Sequence, residues 1–467
     1  MRKFRRRKQK AMRKRENIER FEEALDRVDH FMQRDDPEGA LAILEPLADE
    51  FGSLPMYRAT VGLLLVSNEE YLAAIDLLES AYRQMRDFEM LMPLMAAYFG
   101  LGLPAHALQV GDRLGRKDVV MPDEAMAELQ FVRDLIAEQA VDAGVTEPVM
   151  MKGALAMERA TLASLKLDVK AALSAARDAV RHLGEWLPAR NLLAQTLLLN
   201  GRWSEAEAEW RRVLERNPTY ADAMVELIRM YAWTGRRAEA EAFWPRVMAL
   251  EETEDVKPVL VEAAALLEKD EELYGWLREL DVSEYSDGEQ ALYQRWLATA
   301  EANLGKVRQA KKRLKRRNPL EHSLEYRLLT ALQAGKKGLG LIDRFHYFQS
   351  IEVLQPEILL EILTLSEDET VSEDRYTQEI RRIAKRYPSL LHFAELMVWY
   401  EDQTSFGLDL LDRMATPAAY ARLREFALGQ LGEDEARTDA LFALRDAGEI
   451  EPGETVRFWR NGAWTDL

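Results

Sequence analysis

The chain of 467 residues contains no cysteine and only six histidines. The first absence excludes disulfides, thiolate metal sites and cysteine nucleophiles. The histidines His30, His106, His182, His322, His346 and His392 are scattered, and no two stand at the spacing of a helical metal-binding pair. Each is expected at the surface or satisfied in the core. Long apolar runs are also missing: Leu63 to Val66 is the longest purely aliphatic stretch near the N-terminus and is too short to span a bilayer. No apolar secretory core follows the basic start, so a cytoplasmic location is the expectation. Catalytic patterns are lacking too. Gly335-Lys-Lys-Gly-Leu-Gly340 has the glycines of a phosphate loop without its Gly-Lys-Ser/Thr ending, and no pair of carboxylates is singled out as acid and base. The sequence therefore points to no cofactor, no small-molecule substrate and no enzyme.

What the chain has in place of these is a period. A small residue recurs at Ala40, Ala74, Ala107, Ala172, Ala206, Ala240, Gly275, Ala310 and Gly340, in steps of 30 to 35 residues apart from one gap of 65. That period is the length of a helical hairpin, and a chain of such repeats packs each unit on its neighbours. The clearest unit runs from Leu187 to Tyr220. Leu193, Ala194 and Leu197 line its first helix at i, i+1 and i+4, and Gly201 ends that helix. Ala206, Trp210 and Val213 line the second helix, which Asn217-Pro218 stops. A small side chain lets two helices approach closely, and the large neighbours fill the space beside it. Ala221 to Glu254 repeats the arrangement with Leu227, Ile228, Tyr231, Gly235, Ala240, Trp244 and Val247; Gly153 to Trp186 does so with Ala160, Ala163, Ala172, Ala176 and Ala179.

Ala194, Ala206, Trp210 and Pro218, and again Tyr231, Ala240 and Trp244, occupy the places of a pattern that resembles the tetratricopeptide repeat (TPR). Gly62, Ala74 and Ala81, then Tyr98 and Ala107, carry the resemblance into the N-terminal part, and Ala298, Gly305 and Ala310 extend it further on, although Arg317 replaces the usual small residue. The resemblance implies an all-α fold, an α-solenoid of TPR-like helix-turn-helix repeats, and a scaffold that holds a protein or peptide partner on its concave surface. It fixes the architecture far more than the ligand.

The resemblance also implies which side chains line that surface. In the N-terminal array they are Met56, Ala59, Leu63 and Val66, then Met92, Ala96 and Phe99, an apolar, methionine-rich set suited to an amphipathic helix or to a helix of the chain itself. In the central array they are Asn191, Gln195 and Arg229, with Trp233 close by, suited to a peptide backbone or carboxylate. The lysine and asparagine set of the family's carboxylate-clamp members is missing.

Charge is uneven. Arg2, Lys3, Arg5, Arg6, Arg7, Lys8, Lys10, Arg13, Lys14 and Arg15 precede the first acidic residue, while the rest of the chain holds 53 basic against 81 acidic residues. Such an arm suits RNA, DNA or an anionic membrane surface, and equally the chain's own acidic body. Its only aromatic residue is Phe4, which favours phosphate contact over base stacking. A second cluster, Lys311, Lys312, Arg313, Lys315, Arg316 and Arg317, reads either as an anion-binding track or as a solvated helix face with cations near its C-terminal end.

Organisation follows from these signals: a basic arm over 1–18, a TPR-like array over 19–120, connecting helices over 121–152, a central array over 153–340, an irregular helical segment over 341–389, degenerate repeats over 390–450 and a β-hairpin over 451–467. Asn461-Gly462 marks the hairpin, with Trp459 facing Trp464 and Arg457 facing Asp466.

Overall fold

A computed structural model describes residues 20–117, 119–253, 256–283, 285–317, 324–335, 344–348, 353–354, 356–368, 370–399, 403–430, 432–451 and 453–466. Among these residues the chain is helical, apart from one antiparallel pair of strands near its end. It divides into two compact units, Met1–Asn200 and Gly201–Leu467.

In the first unit the helices are α1 over 20–32, α2 (Pro37–Leu44), α3 (Ala48–Phe51), α4 (Pro55–Ser67), α5 (Tyr71–Met85), α6 (Leu91–Gly100), α7 (Pro104–Gly115), α8 (Asp123–Ala143), α9 (Glu147–Leu165), α10 (Val169–Leu183) and α11 (Leu187–Leu199). α4 with α5, α6 with α7, and α9 with α10 form hairpins, and the first helices α4 and α6 lie side by side. The notches explain the close pairing. Ala74, Ala107 and Ala172 are fully buried. A Cβ on Gly62 would come within 2.7 Å of Leu78, and one on Gly153 within 2.3 Å of Leu183, so only glycine allows α4 to approach α5, and α9 to approach α10, this closely. Local signals set the ends. Asp168 accepts a hydrogen bond from the Ala171 amide at 3.0 Å to start α10, and Gly184 at a φ of 61° ends it.

The second unit continues with α12 (Trp203–Arg216), α13 (Ala221–Trp233), α14 (Arg237–Glu241), α15 (Trp244–Val247), α16 (Lys257–Leu266), α17 (Asp270–Glu279), α18 (Asp287–Asn303), α19 (Val307–Arg317) and α20 (Leu324–Gln333). Helices Pro356–Glu367, Glu373–Arg386, Leu390–Trp399, Thr404–Met414, Pro417–Ala427 and Asp434–Asp446 follow. Trp210, Tyr231, Ala206, Ala240 and Ala310 are fully buried, as their repeat places require. Gly275 departs from the pattern: a Cβ there would meet nothing within 4 Å, so this small residue permits no close approach. Gly340 lies outside the described residues. Ser286 and Glu289 close a capping box at the start of α18.

The strands β1 (Arg457–Arg460) and β2 (Ala463–Asp466) pair in the expected register, with Trp459 opposite Trp464 and Arg457 opposite Asp466. Asn461 and Gly462 supply the positive φ values, 53° and 75°, that a two-residue turn needs. A lone ribbon is marginal in water. This one buries Phe458 in the core of the last helices, while the Asp434 carboxylate accepts from the Asn461 amide at 2.7 Å and Arg437 donates to the Trp459 carbonyl at 3.2 Å.

Candidate functional site

The apolar residues expected on the inner surface of the N-terminal array come out on two neighbouring first helices. Met56 and Leu63 stand two turns apart on α4 and are 48% and 45% exposed. Met92 and Phe99 have the same spacing on α6 and are half-buried against the first unit's core, with Ala96 exposed between them. Ala59 is a correction: it turns inward and is buried with Ala81 and Met90. The other sides of both helices hold Leu64, Leu65, Leu94 and Met95 in the core, which fixes the outward direction of Met56 and Leu63.

Asn191 and Gln195 lie one turn apart on α11, Asn191 buried and Gln195 half-buried. They belong to the first unit, whereas Arg229 and Trp233 belong to the second. The guanidinium of Arg229 is neutralised by two carboxylates, Glu226 one turn before it and Glu262 on α16. Burial disfavours its charge, but these two acids outweigh that and raise its pKa above the ordinary arginine value. It sits 5.8 Å from the centre of the Trp233 ring. Trp233 in turn packs edge-on against Phe348 at 6.2 Å and against the helix Leu390–Trp399. Within this unit, then, the pair faces the chain's own side chains.

Phe348 belongs to a short non-helical segment, 344–348, that lies along the first helices of successive hairpins. Asn303, at the end of α18, binds Phe345 as one peptide strand binds another: its amide oxygen accepts from the Phe345 N–H at 2.9 Å and its amide nitrogen donates to the Phe345 carbonyl at 3.1 Å. Trp296 donates from its indole N–H to the Tyr347 carbonyl at 3.0 Å. Asp270 accepts from Arg344 at 3.0 Å and from the Tyr347 hydroxyl. Burial and the Asp270 carboxylate raise the Tyr347 pKa, so its hydroxyl stays a neutral donor. Phe345 fills the core between α18, α19 and α20, while Tyr347 and Phe348 fill that between α16 and α18. The aromatic run Phe345-His346-Tyr347-Phe348 is conspicuous in the sequence, but its role as an internal strand laid over first helices is not.

His346 in this segment departs from the expectation for the histidines. Its Nε2 is sealed from solvent with no hydrogen-bond partner, and burial pushes its pKa down to about 4. His106 instead pairs with Glu158 at 2.6 Å, and His392 with Glu395 at 3.2 Å. Burial works against the charge of Glu395, but the bond from His392 and the nearby Arg422 prevail and bring it down to about 2. His322 lies outside the described residues. Among the described residues no group of three or more His, Cys, Asp or Glu side chains is placed to hold a metal ion, and no helix is long and apolar enough to cross a membrane.

The basic arm Arg2, Lys3, Arg5, Arg6, Arg7, Lys8, Lys10, Arg13, Lys14 and Arg15 lies outside the described residues, as does most of Gly335–Gly340. Of the second basic cluster, Lys312, Arg313 and Arg316 face an open cleft of about 610 Å³ between α17 and α19, together with Arg278, Gln290, Gln294, Gln309 and Tyr274. Sequence reading missed the α17 and α18 contributors. The signal within reach was the helical spacing of Gln309, Lys312, Arg313 and Arg316.

The described residues thus define a protein of TPR-like helical hairpins with a terminal β-ribbon. No family model matches the sequence, and no curated protein matches it. Several solved structures are similar in chain path. Yeast Tom70 is 12% identical, with 92% of this chain and 97% of that one covered and a TM-score of 0.28. The TPR2AB domain of yeast Sti1 in its pHSP90 complex is 15% identical, with 55% and 97% covered and a TM-score of 0.22. The TPR domain of P58(IPK) is 12% identical, with 67% and 97% covered and a TM-score of 0.22. The hairpin architecture rests on the helices and notches described above and not on these likenesses.

Proposed function

We propose that this protein is an interaction scaffold, not a catalyst, and that it holds a protein partner on the apolar face of α4 and α6. The observation that carries the reading is the outward pair Met56 and Leu63, each nearly half exposed on a helix whose Tyr57, Ala59, Leu64 and Leu65 are in the core, with Val61 and Val66 partly buried against it. Met92, Ala96 and Phe99 extend the face onto the adjoining helix. Thioethers and aliphatic side chains at two-turn spacing suit the apolar stripe of an amphipathic helix, which presents its own anchors at the same interval. In the second unit the equivalent helices carry the chain's own segment 344–348, and Arg229 already has its counter-charges.

The test is quantitative capture of partners on immobilised full-length protein, comparing wild type with Met56→Lys/Leu63→Lys. Completing the burial of two half-exposed anchors contributes about 1 kcal/mol each, so the double variant should lose roughly thirtyfold in affinity. Its melting temperature should fall only slightly, because about half of each side chain already faces water. Equal recovery by wild type and variant would remove this face from the reading.

A further inference from the structure

The cleft between α17 and α19 belongs to the second unit, whereas the apolar face of α4 and α6 belongs to the first. In α19 the buried residues are Ala310 and Leu314. Gln309, Lys312, Arg313 and Arg316 occupy i, i+3, i+4 and i+7, a single face of the helix. This face is particular to one repeat: in α12, where Ala206 holds the place of Ala310, the corresponding residues are Glu205, Ala208, Glu209 and Arg212. Lys312 and Arg316 are like charges four residues apart, an arrangement that costs helix stability unless an anion lies over it. Among the described residues neither meets a carboxylate.

The cleft is built as well as charged. Glu301, with its side chain 3% exposed, accepts from both Nε and one terminal nitrogen of Arg313 at 3.1 and 2.8 Å, while the other terminal nitrogen donates to Gln294 at 2.6 Å. This fixes the guanidinium at the floor and uses both oxygens of the one acid among the described residues that line the cleft. On the facing wall the guanidinium of Arg278 lies 5.8 Å from the Tyr274 ring, and the ammonium of Lys306 lies 4.9 Å from the same ring. Among the described residues that line the cleft four cations stand against one carboxylate, with Arg278 also 3.6 Å from the exposed Glu279 carboxylate, which leaves a positive pocket in a chain whose formal charge is −18. Its volume of about 610 Å³ falls within the roughly 300–1,000 Å³ of ligand-sized sites.

We infer that this cleft binds an acidic peptide segment of a partner protein, with its carboxylates on Arg278, Lys312 and Arg316 and its backbone on the glutamine amides. A peptide suits the cleft better than a nucleic acid strand for two reasons read from its lining. Beyond the bonds they already make to the Tyr285 carbonyl, Arg313 and the Tyr274 hydroxyl, Gln290 keeps its amide oxygen and Gln294 and Gln309 keep their amide NH2 groups, so together they still offer an acceptor and donors to a peptide backbone. The one aromatic ring, Tyr274, already has cations on it and gives no stacking platform for bases. Gln290, Gln294 and Glu301 lie on one side of α18, opposite the buried Arg295 and Thr299, which hold the repeat places of Asn191 and Gln195 in α11, so this surface is separate from the one a TPR-like groove presents.

The experiment uses the full chain at low salt and a short fluorescein-labelled peptide of alternating glutamate and glycine, with oligouridine of equal charge and inorganic phosphate as comparators. Anisotropy should show peptide binding that weakens with added salt. Lys312→Glu/Arg316→Glu should weaken it by about tenfold, and Lys312→Gln/Arg316→Gln by less. Both residues are exposed, so folding is unaffected, and the N-terminal arm is common to all the proteins compared. Amide hydrogen exchange in the wild type should show protection over α17 and α19. Equal peptide affinity in the glutamate variant would overturn the proposal. So would protection that spares α17 and α19, or oligouridine or phosphate binding more tightly than the peptide.

Discussion

Replacing Asn303 by alanine should loosen 344–348 without unfolding the rest of the second unit. The side chain makes two hydrogen bonds to the backbone of Phe345, at 2.9 and 3.1 Å, and one to Asp270 at 3.1 Å. Two lost backbone bonds are worth about 2 kcal/mol net, and a Phe345 N–H left facing an apolar pocket adds about 1–2 more. The remaining holds are the Trp296 bond to Tyr347, the Asp270 bonds to Arg344 and Tyr347, and the burial of Phe345. They keep the segment in place most of the time. The opening equilibrium should therefore rise by about 150- to 1,000-fold, a change that hydrogen exchange resolves directly. Exchange by mass spectrometry on fragments covering 344–348 is the assay, with fragments of α4 to α7 in the first unit as the reference. A rise below about threefold, or an equal rise in both units, would refute the claim that Asn303 clasps this segment.

Two glycines test the notch argument against each other. Gly153→Ala should cost about 1–3 kcal/mol, read as a lowered melting temperature, because the new methyl group meets Leu183. Gly275→Ala should stabilise α17 by roughly 0.5–1 kcal/mol, because its Cβ has open space. His346 gives a pH dependence. Its folded pKa of about 4 lies below the ordinary 6.5, so the unfolded chain takes up the proton first. The stabilisation is complete above pH 6.5 and is lost as the pH falls from there toward 4, at up to about 1.4 kcal/mol per pH unit. Urea midpoints followed by tryptophan fluorescence should fall across that window in the wild type and stay flatter in His346→Gln; parallel curves would count against the unpartnered, sealed Nε2. Glu207 belongs to a lower window. Hydrogen bonds from Arg236, Tyr231 and Arg211 bring it down to about 2, so its contribution persists until the pH drops below about 4.5.

Much of the hairpin plan was legible in the sequence because its cause is local. A buried small residue on most second helices, a glycine or proline after many of the rods, and Asn461-Gly462 between alternating residues specify their elements with little help from elsewhere, although α4, α5, α9 and α16 turn instead at Glu69, Arg86, Leu167 and Glu268. Gly275 shows where the period misleads, since a small residue marks a close approach only where a neighbouring side chain reaches it. The polar groove residues were harder to place, because their state depends on partners distant in sequence. Glu262, which neutralises Arg229, lies 33 residues on, one repeat away, and nothing in its sequence surroundings singled it out as the counter-charge. The segment 344–348 gave no such signal. Its place depends on Asn303, Asp270 and Trp296 meeting it across dozens of residues of chain, and no periodic pattern encodes that. The cationic face of α19 was visible as composition, but the cleft required Arg278 and the three glutamines to be seen together.

The most direct test of the scaffold reading is photo-crosslinking in the native cell, with benzoylphenylalanine placed at Leu63 in one full-length protein and at Trp233 in another. The account predicts a discrete partner adduct from position 63 that is lost when Met56→Lys is added, and only internal crosslinks from position 233. Partner adducts from 233 with none from 63 would contradict it.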